Sequence, residues 1–187
     1  MAREARTDHD LMISIARGDA LAFRILVDRH QAAIHRIGWR MLGGAEAEDV
    51  TQETFLRLWT KAPTWAPTGS VFGWLRQIVT NLCLDRLRSR RFWSDAPAPV
   101  LPDDSDRGEA VVYVDQRRRL VSRCLDRLSA RQRAAIVLTY YEELPNAEAA
   151  VTLGLKVKAF ESLLLRARQK LAAALSAEGL ISSGGIQ

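Results

Sequence analysis

The strongest constraint on the fold lies in the last third of the chain, residues 128–171. Apolar residues recur there at three- and four-residue intervals, break once at Gly154, and resume toward a basic run that closes on Leu171. A glycine between two amphipathic runs supplies the left-handed backbone of a tight turn. The pattern predicts a supporting helix after Leu128, a short helix with Pro145 in its first turn, the Gly154 turn and a longer second helix. Ala149, Ala150 and Leu153 pack the short helix. On the longer one, Val157, Phe160, Leu164, Ala167 and Leu171 share the buried face, while Lys158, Ala159, Ser162, Leu165, Arg166 and Gln169 project outward. That arrangement is a helix-turn-helix, whose second helix is shaped to enter the major groove of DNA.

Charge divides the chain into blocks. Residues 1–91 carry 14 basic and 10 acidic side chains, residues 92–115 one basic and six acidic, and residues 116–187 twelve basic and six acidic. The acidic strip holds Pro97, Pro99, Pro102, the cluster Asp103-Asp104-Ser105-Asp106 and Gly108, a composition that resists helix and supplies little core. It reads as an extended linker over 93–115 between two small helical domains, 1–92 and 116–187. The basic blocks fit a polyanionic partner; they equally fit arginines that solvate helix surfaces. With 48% apolar residues the chain has material for two cores, yet no run of about 18 apolar residues that would span a membrane. The first ten residues lack the apolar stretch of a secretory signal. Cys83 and Cys124 lie within helical patterns and read as small buried apolar residues of a reducing compartment. His9, His30 and His35 are scattered, so no metal or cofactor site is expected.

The first block is helical throughout. Leu11, Ile15, Phe23, Leu26, Val27, Ile34 and Ile37 recur at helical intervals, Gly18-Asp19 separates two helices, and Gly43-Gly44 separates the second from a third. On the third helix Val50, Thr51, Thr54, Phe55 and Leu58 gather on one face as core. Asp49, Gln52, Glu53, Leu56 and Thr60 gather on the other, which puts a leucine at the centre of a polar face. Two readings stand: a solitary exposed apolar residue, which is common, or a docking surface.

A loop with Pro63, Pro67 and Gly69 leads into a fourth helix. Val71, Leu75, Ile78, Val79 and Leu82 form its buried stripe. Trp74, Gln77, Asn81, Asp85 and Arg88 run along one edge, and Arg86, Arg88, Arg90 and Arg91 close the helix. Rings that stack bases, amides that bond base edges and arginines that hold phosphates suit single-stranded nucleic acid. Trp74 reads equally well as a core anchor.

The motifs D-V-x-Q-E-x-F-x-x-x-W at 49–59, W-L-x-x-I-x-x-N-x-x-x-D-x-x-R at 74–88, and L-x-x-R-Q-R at 128–133 before a helix-turn-helix ending R-A-R-x-K-L resemble the bacterial sigma factors. The short two-domain format is similar to the extracytoplasmic-function group of the sigma-seventy family, over residues 8 to 175. The resemblance implies an all-helical transcription initiation factor without catalytic residues or cofactors, acting in the cytoplasm. It implies that Asp49, Gln52, Glu53 and Leu56 dock on the β′ clamp helices of core RNA polymerase. The loop at 61–70 and the edge with Trp74, Asn81, Asp85 and Arg88 would melt the minus-ten element and hold an extruded base. The linker would thread through polymerase near the RNA exit path. The last domain would read the minus-thirty-five element through Lys156, Lys158, Ser162 and Arg166 while touching the polymerase, including its β subunit, and an anti-sigma protein would cover the docking surfaces.

Three departures bear on DNA reading. Relatives in this family commonly carry a capping serine where Lys156 stands and basic residues where Glu161 and Leu163 stand. A missing cap costs about 1 kcal/mol of helix stability. Glu161 repels phosphate, although it is suited to accept from a cytosine amino group. Leu163 and Leu165 either complete the core or form an apolar patch for a partner. Two rival functions remain at this stage: a stand-alone helix-turn-helix repressor, which leaves residues 1–91 without a role, and a sigma-like decoy that sequesters an anti-sigma factor. An enzyme would require a nucleophile motif, paired acids or a phosphate-binding glycine loop, and the sequence offers none of these.

Overall fold

The computed structural model describes residues 6–93 and 120–180. Every regular element among them is helical, and they form two compact units, one centred on the helices before Leu87 and one on those after position 120. The expected all-helical, two-unit fold is observed. Beyond Trp93, the expected linker lies outside the described residues.

The first unit opens with α1 (Asp8–Ile15), started by a capping box. The Thr7 hydroxyl accepts from the Asp10 N–H at 3.2 Å, and the Asp10 carboxylate accepts from the Thr7 N–H at 3.1 Å. After a turn at Gly18, where φ is +86°, Asp19 caps α2 (Ala20–Leu42) by accepting from the N–H groups of Leu21 and Ala22, both at 3.0 Å. These bonds from the Ala22 and Leu21 amides hold the Asp19 carboxyl below its ordinary value. α3 (Gly44–Lys61) folds back along α2 after Gly43. The two helices meet closely at Gly38, where an added Cβ would stand 3.0 Å from Val50 Cγ2 and 3.3 Å from the Ala47 carbonyl oxygen. At the other end of this pair, the Phe23 and Trp59 rings meet edge to face at 5.2 Å.

A short 3-10 turn, Ala62–Thr64, and the loop to Ser70 lead into α4 (Val71–Trp93). The Ser70 hydroxyl accepts from the Gly73 N–H at 3.0 Å and so caps this helix. Val71, Leu75, Val79 and Leu82 are buried as expected, with Ile78 half-buried. α4 is buried more broadly than one stripe, because Arg76, Thr80, Cys83 and Leu84 are enclosed as well. A helix covered on several sides loses the single apolar face that periodicity detects.

In the second unit, residues 120–126 form helix α5. A second capping box, between Ser129 and Gln132, starts α6 (Ala130–Ile136). The chain continues as a π-helical turn over Val137–Tyr141, which the sequence pattern did not anticipate. Five successive residues leading into it, Ala134 to Leu138, are buried, so no one-sided register marks where the widened turn begins. Arg133 is buried and bonds the Asp126 carboxylate, linking α6 to α5. The short helix α7 (Asn146–Thr152) has Pro145 just ahead of it, whose carbonyl accepts from the Ala149 N–H at 3.0 Å. Gly154, with φ +63°, makes the turn into α8 (Val157–Ala177), which packs on α6. Phe160, Leu164 and Ala167 are buried and Leu171 half-buried, as expected. Val157 departs from the expected buried face and is 42% exposed. As the first residue of α8 its side chain leans back toward the turn, ahead of the surface that α6 covers.

Candidate functional site

Three surfaces carry the residues singled out in the sequence. On α3, Val50, Thr54, Phe55 and Leu58 are buried and Thr51 half-buried, while Asp49, Gln52, Leu56 and Thr60 face solvent and Glu53 is partly exposed. Leu56 is 62% exposed. Its side chain adds nothing to the core, and covering it would contribute about 1–2 kcal/mol. Both acids flanking it are held by arginines. Arg57 donates to Glu53 through Nε at 3.1 Å and Nη2 at 2.6 Å, and Arg86 of α4 lies 3.4 Å from Asp49. Such exposed pairs contribute about 0–1 kcal/mol each, so their effect is to fix side-chain positions around Leu56 rather than to hold the fold.

The second surface follows the 62–70 loop and one edge of α4. Asn81, Asp85 and Arg88 are exposed, and Trp74 and Gln77 are half-buried. Trp74 is therefore neither a full core anchor nor a free ring; part of its indole is left accessible beside a polar edge. Loop residues Pro63, Thr64, Ala66, Pro67 and Thr68 are exposed. Trp65 is the exception: half-buried, it lies with its ring 5.5 Å from that of His9 on α1. The sequence reading gave α1 no part in this surface. Its one readable signal is the Thr7/Asp10 capping pair, which fixes where α1 begins and hence which way His9 points.

The third surface is the outer side of α8. Lys156, Lys158, Ala159, Glu161, Ser162, Leu165, Arg166 and Gln169 are exposed, whereas Leu163 is half-buried. Lys158, Ser162 and Arg166 stand four residues apart on one line. The Ser162 hydroxyl donates to the Lys158 carbonyl at 3.0 Å, and Arg166 Nε donates to the Ser162 carbonyl at 3.2 Å. The Ser162 hydroxyl oxygen thus keeps its lone pairs as an acceptor, and Arg166 turns its Nε toward its own helix. Lys156 occupies the N-cap position, with φ −71° and ψ 147°, and makes no side-chain cap bond. Nearby on the second unit, the Arg168 guanidinium lies 5.3 Å from the centre of the exposed Tyr140 ring. Among the described residues, no group of three or more His, Cys, Asp or Glu is placed to hold a metal ion.

Residues 26–92 match the family model described as Sigma-70 region 2, and residues 118–171 match the one described as Sigma-70, region 4. The chain is 32% identical over 183 residues to the ECF RNA polymerase sigma factor SigM of Mycobacterium tuberculosis, covering 97% of this chain and 90% of that protein. It is 38% identical over 155 residues to the ECF RNA polymerase sigma factor SigE of Mycolicibacterium smegmatis, a match spanning 78% of this chain but only 58% of the longer relative. Among solved structures, CnrH in complex with the cytosolic domain of CnrY superposes with a TM-score of 0.66 at 31% identity, over 91% of this chain and 97% of that one.

Proposed function

The chain belongs to the sigma-70 family of RNA polymerase sigma factors, in its extracytoplasmic-function group, and on that premise we propose that it binds core RNA polymerase and directs initiation at a promoter set of its own. Residues 1–92 form the domain that docks on the polymerase and opens the minus-ten element, residues 93–115 the linker, and residues 116–187 the domain that reads the minus-thirty-five element. Asp49, Gln52, Glu53 and Leu56 make the docking face on the β′ clamp helices. Trp74, Asn81, Asp85 and Arg88 contact the melted strand, and Lys156, Lys158, Ser162 and Arg166 contact the minus-thirty-five duplex. The observation that carries this reading is Leu56, an exposed leucine framed by arginine-held acids on a unit separate from the helix-turn-helix.

The work of such a protein is differential binding, and it requires no catalytic group or cofactor. Each small domain makes few phosphate contacts, so the free protein binds DNA weakly and loses that binding steeply with salt. On the polymerase both domains are held on one scaffold, and linkage multiplies their modest affinities. Control by an anti-sigma protein fits the same surfaces, and the relative CnrH was solved with a domain of a second protein bound. Action in the cytoplasm fits the finding that no described helix is long and apolar enough to cross a membrane. A decoy that only sequesters an anti-sigma factor draws support from the uncapped Lys156 and the exposed Glu161, but it has no use for the Trp74–Arg88 edge.

Leu56→Asp tests the docking face. The residue is exposed, so the fold survives, while burying a carboxylate against the polymerase costs several kcal/mol. Core binding in a pull-down should fall at least tenfold with an unchanged circular dichroism spectrum. Full core binding by the folded variant would remove Leu56 from the interface.

A further inference from the structure

Two adjacent residues of α1 reach the 61–70 loop and the start of the helix that follows it. His9 packs its ring against Trp65 near the middle of the loop, 5.5 Å between centroids with the planes tilted by 59°. Asp8 reaches the first turn of α4, just past the loop, through an intermediary. One of its carboxylate oxygens lies 2.6 Å from His30 Nε2 on α2, and the other accepts from Arg29 at 2.8 Å. The His30 ring then stacks on Phe72, in the first turn of α4, at 5.3 Å and 22°. The Arg76 guanidinium lies 5.6 Å from the centre of that same Phe72 ring.

The loop is anchored at its two ends, by the buried Ala62 and by Ser70, which caps α4, and its middle has local bonds. Within it, Thr64 donates to the Lys61 carbonyl at 3.1 Å, the Trp65 N–H reaches the Ala62 carbonyl at 3.3 Å and the Thr68 N–H reaches the Ala66 carbonyl at 2.8 Å. Except for Trp65, residues 63–70 are exposed. Proline restricts the backbone at positions 63 and 67, but local turns alone do not fix where the middle of the loop, around Trp65, stands. A site that grips an extruded base needs its groups held within about 0.5 Å, and misplacement by about 1 Å costs up to a hundredfold in function.

We infer that Asp8 and His9 are positioning residues that brace the 61–70 loop, so that α1 sets how selectively the loop holds a promoter base. This rests on the reading of the loop as a base-holding element. Neither residue touches DNA in this scheme; His9 acts through Trp65, and Asp8 through His30 and Phe72. The brace is separable from the fold, because His9 is exposed while α1 is anchored by the buried Leu11, Met12 and Ile15.

The test uses the full chain on core polymerase, with single-stranded minus-ten oligonucleotides in which each position in turn carries each of the four bases. The wild-type complex should prefer one base by tenfold or more at one or more positions. His9→Ala should reduce that preference at least threefold with core binding within twofold of wild type. His9→Phe should restore it, since a ring against Trp65 is what the brace requires. Asp8→Asn should weaken the preference from the Phe72 side. The inference is overturned if His9→Ala keeps the full preference, loses affinity evenly for all four bases, or loses it together with core binding. A wild-type complex with no preference at any position would instead overturn the role of the loop, and this inference with it.

Discussion

Lys156→Ser should separate stability from DNA binding at a single position. The backbone of Lys156 already has the extended conformation of an N-cap, and its carbonyl accepts the first helical bond, from the Phe160 N–H at 3.0 Å. The amides of the first turn of α8, however, receive nothing from the Lys156 side chain. A serine there would accept from the amide two or three residues ahead, worth about 1 kcal/mol. Removing a positive charge from the positive end of the helix dipole adds about 0.3–1 kcal/mol. The expected gain is about 1–2 kcal/mol, which for a domain of this size raises the melting midpoint by about 4–16 °C. Four of the five tryptophans, Trp39, Trp59, Trp65 and Trp74, lie in the first unit, so tryptophan fluorescence follows chiefly that unit. Melting of the full chain by circular dichroism should therefore shift upward in the component that tryptophan fluorescence does not share. In the same variant, the proposed DNA contact of Lys156 predicts a slope of log affinity against log salt on duplex DNA lower by about 1, if that contact is to a phosphate. Lys156→Ala gives the dipole part alone. If Lys156→Ser is no more stable than Lys156→Ala, the capping argument is refuted; an unchanged salt slope removes Lys156 from the phosphate contacts.

Gly38→Ala places a methyl group 3.0 Å from Val50 Cγ2, with the Ala47 carbonyl at 3.3 Å blocking retreat, and should destabilise the first unit by about 1–3 kcal/mol in urea unfolding followed by tryptophan fluorescence. A neutral result would mean that α2 and α3 separate at little cost. Asp8 supplies a pH signature. Partial burial pushes its carboxyl up, but hydrogen bonds from Arg29 and His30 outweigh this and hold it below the ordinary 3.8. A depressed folded value stabilises above the unfolded pKa, and the contribution is lost as pH falls through the folded one. The stability deficit of Asp8→Asn should therefore be full at pH 6–7 and shrink steadily below about pH 4; a deficit that persists unchanged into acid would contradict the assignment.

Much of this molecule was legible because its informative residues break a local pattern. Leu56 stood out as an apolar residue on the polar side of α3, and it is exposed. Gly154 marked a left-handed turn, and it has φ +63°. Lys156 stands at a cap position without an acceptor in its side chain, and it makes no cap bond. The features that escaped depend on packing between elements or on burial from all sides. Asp8 and His30 are 22 residues apart, and the packing of α1 on α2 brings them together. The π turn at Val137–Tyr141 begins inside a run of successive buried residues, Ala134 to Leu138, so periodicity carries no register at its start. Val157 was misplaced because a helical projection treats the first residue of a helix like an interior one.

Run-off transcription on genomic fragments, with purified core polymerase in the presence and absence of this protein, tests the central claim most directly. The account predicts discrete transcripts that arise only when the protein is added and that disappear with Leu56→Asp. The absence of both new transcripts and core binding would contradict it and favour the decoy.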